Sequence, residues 1–219
     1  MSRLGRAFPN NALMHQIVRR PPVTYDATGG GQGATATTFS WNHTITGNCV
    51  LAAINLEVYG STPPTTTAKV GSIPMTQLGF ITNYAVGTYC YSAALFGLLN
   101  PPTGVQTVSI TSSISTYSAA NSVSFNDVRS FGSVVTSSGN GGIASVSAAV
   151  APGARIFNAM FNAGWPTVNT FTGYNQTSRY NTTYNYNGLL LGDAPGGPQG
   201  FSAGLTMSGY WAAMAVPLD

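Results

Sequence analysis

The feature that most constrains the fold is a period-two alternation of apolar side chains. In the stretch 48–59 the apolar side chains at every second position are Val50, Ala52, Ile54, Leu56 and Val58. Such alternation places them on one face of a β-strand, toward a core. Glu57 falls on the opposite face, where we expect a solvated or interface charge.

Similar strand-like stretches follow one another from residue 34 onward, without helical periodicity. They are 67–75, 89–99, 105–112, 121–131, 142–150, 154–162, 184–191 and 203–216. Turn sequences separate them, and Pro152-Gly153 predicts a hairpin between 142–150 and 154–162. About ten short strands predict an all-β fold, a two-sheet antiparallel β-sandwich or jelly roll preceded by an extended N-terminal arm.

Composition narrows the class of protein further. Only 6% of residues are charged, whereas about 25% is usual in soluble domains. The 26 glycines, 13 prolines and 11 tyrosines favour turns and strands over a coiled coil or a helical bundle. A surface so poor in charge suits a protein that partners cover, or a rigid extracellular particle.

Positive charge is concentrated at the N-terminus. Residues 1–27 are predicted to be an anchoring arm and residues 28–219 the sandwich domain. The residues expected to anchor the arm to a partner are Arg3, Arg6, Phe8, Pro9, Arg19 and Arg20. Four charges with one interleaved aromatic residue do not predict nucleic-acid binding. The sequence contains no apolar run of about 18 residues, so it predicts no membrane-spanning helix.

Few residues could carry catalysis or bind a metal. The chain has five acidic residues and two histidines. Glu57, Asp127 and Asp193 form no pair on one strand face, as a glycosidase would need. His43, beside Trp41, is expected to be a structural hydrogen-bonding residue. We therefore predict no enzyme, no catalytic residue, no metal site and no cofactor.

The two cysteines show no metal-ligand spacing and no CxxC motif. We expect Cys49 and Cys90 to be buried free thiols in strands. The sequence does not decide whether they form a disulfide, because that would require their strands to be adjacent.

An aromatic segment at 163–187 departs from the strand pattern and is expected to be a long loop. Its candidate contact residues are Trp165, Phe171, Tyr174, Arg179, Tyr180, Tyr184 and Tyr186. Tyrosine and tryptophan offer rigid area with a polar end, which suits both glycans and protein partners. These side chains could equally pack the loop onto the sandwich or fill a subunit interface.

Several sequence pieces resemble a known family. The opening Leu-Gly-Arg-Ala-Phe-Pro at 4–9, followed by Val-Thr-Tyr-Asp-Ala at 23–27, resembles minor tail proteins of actinobacteriophages, mycobacteriophages in particular. Looser likeness in the body covers 41–47, 71–76, 98–110, 123–128 and 211–218. The segment 163–187 has no counterpart in the resemblance.

The resemblance implies a bacteriophage virion structural protein on the tail, assembled in the host cytoplasm and bound to other virion proteins. It implies no catalytic residues. A homo-oligomer and contact with a host cell-surface glycan are expected from the low charge and the aromatic segment. Capsid decoration and a carbohydrate-binding adhesin on the virion are the alternatives.

Overall fold

The computed structural model describes residues 20–86, 89–163 and 168–219. Within these ranges the chain forms strands that pair antiparallel throughout, which confirms the predicted all-β class. The strands are β1 Thr24–Thr28, β2 Gln32–Ile45, β3 Cys49–Tyr59, β4 Thr66–Val70, β5 Ile73–Pro74, β6 Thr76–Val86, β7 Tyr89–Leu99, β8 Gly104–Asn126, β9 Val135–Ala163, β10 Phe171–Thr172, β11 Thr177–Tyr184 and β12 Asn187–Leu218. In the described ranges no helix has the length and apolarity needed to span a membrane.

The strands form two sheets. The first, here called sheet A, has the order β5-β4-β8-β3-β7-β6, with β1 and β2 also paired to β8. The second, sheet B, has the order β10-β12-β11, with β9 also paired to β12. Their facing sides share one apolar core, to which β3 contributes Leu51, β9 Phe157 and β12 Met214. The predicted two-sheet sandwich is therefore present.

Sheet B also folds over itself, because its strands are unusually long. Residues 187–195 and 210–218 of β12 both pair with residues 155–163 of β9, one on each side, so these two parts of β12 run in the same direction. The intervening residues 197–204 pair with residues 143–150. This two-stranded ribbon must run back across the outer face of the sheet, where Phe201 and Val146 share a core with Leu190.

Sheet A carries an equivalent outer layer. Residues 38–45 of β2 and the strand β4 pair with the first part of β8. Phe39 and Ile110 from this layer share a second core with Ile54 of β3. The described part of the molecule is thus four β-layers deep, with one apolar core between each two adjacent layers.

The central position of β3 corrects the expectation for Glu57. All residues from 49 to 58 are buried, since Leu51 faces the core between the sheets and Val50 faces the outer core. Glu57 is only 4% exposed. The alternation correctly predicted a strand, but both of its faces are covered, and the expectation of a solvated charge was wrong.

The predicted hairpin at Pro152-Gly153 is also wrong. Residues 143–150 and 155–163 belong to the same strand, and both pair with β12. Val150 lies opposite Gly197 and Arg155 opposite Pro195, so residues 151–154 form a bulge against Gly196. Three of the strands are accordingly much longer than expected, with β12 spanning 32 residues.

Two predicted boundaries also differ from the structure. The segment 163–187, expected to be one long loop, contains β10 and β11, and β11 pairs with β12 over seven register positions from Thr177 to Tyr184. At the other end, β1 pairs with β8 from Thr24 onward, so residues 24–27 of the proposed arm are part of sheet A.

Candidate functional site

Of the anchoring residues predicted from sequence, the structure describes one. Arg3, Arg6, Phe8, Pro9 and Arg19 lie outside the described residues. Arg20 Nη1 lies 3.9 Å from Asp219 Oδ2, and both side chains are largely exposed, at 70% and 58%. Such an exposed ion pair contributes little to stability.

The aromatic candidates are dispersed rather than gathered on one surface. Trp165 lies outside the described residues. Phe171 is buried in the core beneath the ribbon, and Tyr180 packs against the core between the sheets. Tyr184 also packs there, and its hydroxyl lies 3.3 Å from Thr35 Oγ1.

Two of the aromatic candidates retain accessible rings. Tyr174 is 39% exposed. Tyr186, in the turn between β11 and β12, lines a cleft at one end of the sandwich. Among the described residues of the segment, the exposed aromatic surface is therefore smaller than the composition indicated.

Arg179 serves the interior of the protein. Its Nε donates to Asp193 Oδ1 at 2.5 Å, and Arg155 Nε donates to Asp193 Oδ2. The Asp193 side chain is fully buried, whereas the two arginine side chains are about one-fifth exposed. This triad joins β9, β11 and β12, so Asp193 is occupied as an internal counter-ion.

His43 lies in a buried chain of hydrogen bonds, as its predicted structural role requires. Trp41 Nε1 donates to Ser122 Oγ at 2.8 Å, and Ser124 Oγ donates to Asp26 Oδ2 at 2.7 Å. His43 Nδ1 lies 2.7 Å from Ser122 Oγ, and its Nε2 lies 3.0 Å from Ser124 Oγ.

Hydrogen bonding and burial together favour a neutral imidazole. Because Ser124 donates its single proton to Asp26, His43 Nε2 donates to Ser124, and the neutral ring then accepts from Ser122 at Nδ1. Burial lowers the pKa of His43 to about 4, although the nearby Asp26 carboxylate acts in the opposite direction. Partial burial alone would raise the pKa of Asp26, but hydrogen bonds led by that from Ser124 hold it below its ordinary value.

Both cysteines are buried free thiols, as predicted. In the ladder between β3 and β7, Cys49 pairs with Leu99 and Cys90 pairs with Val58, so the two thiols lie at opposite ends. A disulfide between them is therefore excluded by geometry. Among the described residues, no group of three or more histidine, cysteine and acidic side chains could hold a metal ion.

The most distinctive surface feature is a cleft around Glu57, at the end of the sandwich. Its volume is about 210 Å³, and it is lined by Glu57, Tyr89, Tyr117, Asn185 and Tyr186. The first three come from adjacent strands of sheet A, and the last two come from the β11–β12 turn of sheet B. We call this feature the tyrosine cleft.

Strand register explains how sheet A builds its wall of the tyrosine cleft. Glu57 on β3 lies opposite Tyr91 on β7 and opposite Tyr117 on β8. Two residues further along, Tyr59 lies opposite Tyr89. Directly opposed residues share a sheet face, so these five side chains form a single platform around the carboxyl group.

The tyrosines of the platform also contact one another. Tyr59 meets Tyr89 edge to face at a centroid distance of 5.6 Å, and Tyr89 stacks on Tyr91 at 6.4 Å. Tyr91 stacks on Tyr210 of sheet B at 6.1 Å. This row of rings links the two sheets and limits the motion of the cleft wall.

Glu57 is held in place from both sheets. Asn187 Nδ2, at the start of β12, donates to Glu57 Oε2, and the Tyr91 hydroxyl lies 3.5 Å from Glu57 Oε1. Burial raises the pKa of Glu57, and the hydrogen bonds from Asn187 and Tyr91 only partly offset that effect. The arrangement presents an oriented carboxyl group at the base of an aromatic cleft.

The three carboxylates considered for hydrolysis are not gathered. Glu57 lies in the tyrosine cleft, Asp193 lies between two arginines, and Asp127 is exposed beyond the end of β8.

Sequence reasoning missed the cleft because it searched for aromatic contact residues only in the segment 163–187. The available signal was period-two placement beside strand ends, of Glu57 with Tyr59 and of Tyr89 with Tyr91.

Comparison of the chain with protein-family models, with curated proteins and with solved structures found no match.

Proposed function

We propose that the chain is a structural protein of a bacteriophage virion, with a minor tail protein as the favoured role. Its arm would bind another virion protein, and its β-body would take part in assembly or in contact with the host surface. The proposal draws on the resemblance at 4–9 and 23–27 and on the pieces of the body that share it. It assigns no catalytic step and no cofactor.

The observation that carries the proposal is the asymmetry of charge along the chain. Four of the eight basic residues fall within the first twenty positions. In the body, Arg155 and Arg179 are committed to Asp193 inside the fold. A cationic arm attached to a body that commits two of its four basic residues to an internal ion cluster is suited to docking on an acidic surface.

The layered body supports a mechanical role. Three apolar cores between four β-layers, joined by long strands that cross from layer to layer, form a body with many long-range contacts. Several copies on one particle would form a homo-oligomeric or repeated array. In such an array weak individual contacts become effective through multivalency.

The test uses the phage that encodes the chain. Particles carrying the full chain with Arg3→Ala, Arg6→Ala and Phe8→Ala are compared with wild-type particles for copy number by quantitative mass spectrometry. Lys69→Ala, an exposed cation on β4, is the matched control. We expect the arm variant to lose most of its incorporation and the control to keep it. Normal copy number in the arm variant contradicts the anchor.

Imaging separates the tail from the capsid. Asp219 lies beside Arg20, so a label at the C-terminus would sit next to the base of the arm. A small tag at residues 71–72, in the exposed turn between β4 and β5, avoids that position. Electron microscopy of tagged particles is expected to place the protein on the tail, and signal on the head would support capsid decoration instead.

A further inference from the structure

We propose that the tyrosine cleft is a saccharide-binding site, in which Tyr89, Tyr117 and Tyr186 contact the faces of one sugar ring and Glu57 and Asn185 bond to its hydroxyl groups. The site takes Asn185 and Tyr186 from the aromatic segment 163–187, and its other lining residues, Glu57, Tyr89 and Tyr117, come from sheet A. It also goes beyond the proposed structural role, since binding can be measured on the isolated chain.

The size of the cleft favours a single sugar ring. At about 210 Å³ it lies below the roughly 300–1,000 Å³ of pockets that enclose drug-sized ligands. The enclosed volume suits one sugar ring better than a whole nucleotide or a folded peptide segment. Its open side allows the rest of a longer glycan to continue outside the protein.

The chemistry of the lining fits a sugar as well. Sugar rings present apolar C–H faces that pack on aromatic rings and hydroxyl groups at their edges that require polar partners. Tyrosine supplies the rigid area with a polar end, and Asn185 supplies an adaptable amide at the rim. Asn185 has a φ of 51°, so its place in the turn is conformationally defined.

The carboxyl group favours a neutral ligand over a cation. Tyrosines around an acidic residue can also form a cage for a quaternary ammonium group. Glu57, however, is 4% exposed, and burial opposes its charged form. A buried carboxyl group whose ionisation is disfavoured is a weaker counter-ion for a cation, and its oxygens still accept hydrogen bonds from sugar hydroxyl groups.

The site is built before any ligand arrives. Glu57, Tyr89 and Tyr117 lie on three hydrogen-bonded strands, and Asn187 fixes the carboxyl group from the opposite sheet. Side chains placed on strands and held by neighbours lose little freedom on binding.

The experiment uses the purified full chain on a printed array of defined oligosaccharides. Binding is then measured by saturation-transfer NMR with methyl glycosides of glucose, galactose, arabinose and N-acetylglucosamine. The key variant is Tyr117→Ala, whose ring is 42% exposed. Ile114→Ala is the matched control, because Ile114 is 44% exposed on the same strand. We expect at least ten-fold weaker binding for Tyr117→Ala and unchanged binding for Ile114→Ala.

A second variant, Asn185→Gly, removes the rim amide without backbone strain, because glycine readily adopts a positive φ. It should weaken binding several-fold while the unfolding temperature stays that of wild type. The proposal is overturned if no saccharide binds, if Tyr117→Ala binds like wild type, or if tetramethylammonium binds and no sugar does. Loss of binding in Tyr174→Ala, with Tyr117→Ala binding normally, would place the site at Tyr174, outside the tyrosine cleft, and also overturn it. None of these results depends on incorporation into particles.

Discussion

The guanidinium group of Arg179 lies over the ring of Tyr25, 3.8 Å from the ring centroid. This cation–π contact joins β11 of sheet B to β1 of sheet A, so it fastens the first described strand across the sandwich. Arg179 holds that position because Asp193, fully buried, binds its Nε. The buried carboxylate thus sets the geometry of a contact between the two sheets.

Replacing Asp193 with asparagine should destabilise the protein strongly. The substitution leaves Arg155 and Arg179 without their counter-ion, and breaking a buried ion pair commonly costs about 3–5 kcal/mol. We expect the free energy of unfolding, measured by urea denaturation, to fall by roughly 3 kcal/mol.

The matched control is Asp127→Asn, which removes the same charge at an exposed position. Asp127 has a φ of 62°, a conformation that asparagine adopts easily. The free energy of unfolding of the Asp127→Asn variant should remain within about 0.5 kcal/mol of wild type. Equal losses in the two variants would contradict the role assigned to Asp193.

The His43 chain of hydrogen bonds predicts a loss of stability in mild acid. The unfolded chain protonates this histidine below about pH 6.5, whereas the folded protein keeps it neutral until its pKa of about 4. The contribution of His43 to stability is therefore complete above pH 6.5 and falls as the pH drops toward 4, by up to about 3 kcal/mol. Urea denaturation at half-unit intervals of pH measures the slope.

A His43→Gln variant isolates that slope. It should be less stable at pH 7 because the bonds to Ser122 and Ser124 are disturbed, but its stability should change less between pH 6.5 and 4. The contribution of Asp26 falls mainly below pH 3.8, outside this window, because its pKa is lowered. Parallel curves for wild type and variant would refute the assignment.

The sequence predicted the all-β class and the strand at 48–59, but it could not predict how many faces of a strand are buried. The alternation at 48–59 indicates a strand, yet Cys49, Leu51 and Ala53 on the second face are apolar too. Whether that face meets solvent or another layer depends on strands far away in the chain. For the same reason the burial of Glu57 could not be foreseen.

The tyrosine cleft was hidden from sequence for a related reason. Glu57, Tyr91 and Tyr117 become neighbours only through the register of three strands. Register follows from pairing across the whole sheet and is not a local property. By contrast, the burial of the two thiols and the hydrogen-bonding role of His43 followed from local context and were predicted correctly.

The bulge that replaces the predicted hairpin can be tested at Gly196. A proline-glycine pair suits a turn or a bulge equally, so local sequence did not distinguish them. A Cβ atom at Gly196 would lie 2.2 Å from the Ala151 carbonyl oxygen and 2.9 Å from that of Ala154. Gly196→Ala should therefore destabilise the protein by roughly 1–3 kcal/mol in thermal or urea unfolding.

Gly200→Ala, in the same strand, is the control for Gly196. There the nearest atom to a new Cβ is Ser147 Oγ at 3.6 Å, an ordinary contact. Its stability should match or slightly exceed that of wild type, because alanine restricts the unfolded chain. If Gly196→Ala were as stable as this control, the bulge would not be packed as described.

The buried cysteines predict inert thiols. Cys49 and Cys90 have no exposed surface, and burial raises the pKa of each. A thiol reagent such as 5,5′-dithiobis(2-nitrobenzoate) should label the native protein roughly 100-fold or more slowly than the urea-unfolded chain, because thiolate and access are both lacking. Two equivalents should react after unfolding without reductant. Fewer than two would indicate a disulfide and contradict the opposite placement of the cysteines.

The raised pKa of Glu57 predicts a pH-dependent gain from Glu57→Gln. The folded state holds its proton more tightly than the unfolded state, whose pKa is about 4.5. The contribution of Glu57 to wild-type stability therefore falls as the pH rises from 4.5 through the folded pKa, whereas glutamine has no charge to bury and can still accept the bond from Asn187. The variant should thus become more stable than wild type in urea denaturation as the pH rises. Effects of His43 are common to both proteins and cancel in the difference, so a difference that stays constant with pH would show that Glu57 titrates as it does in water.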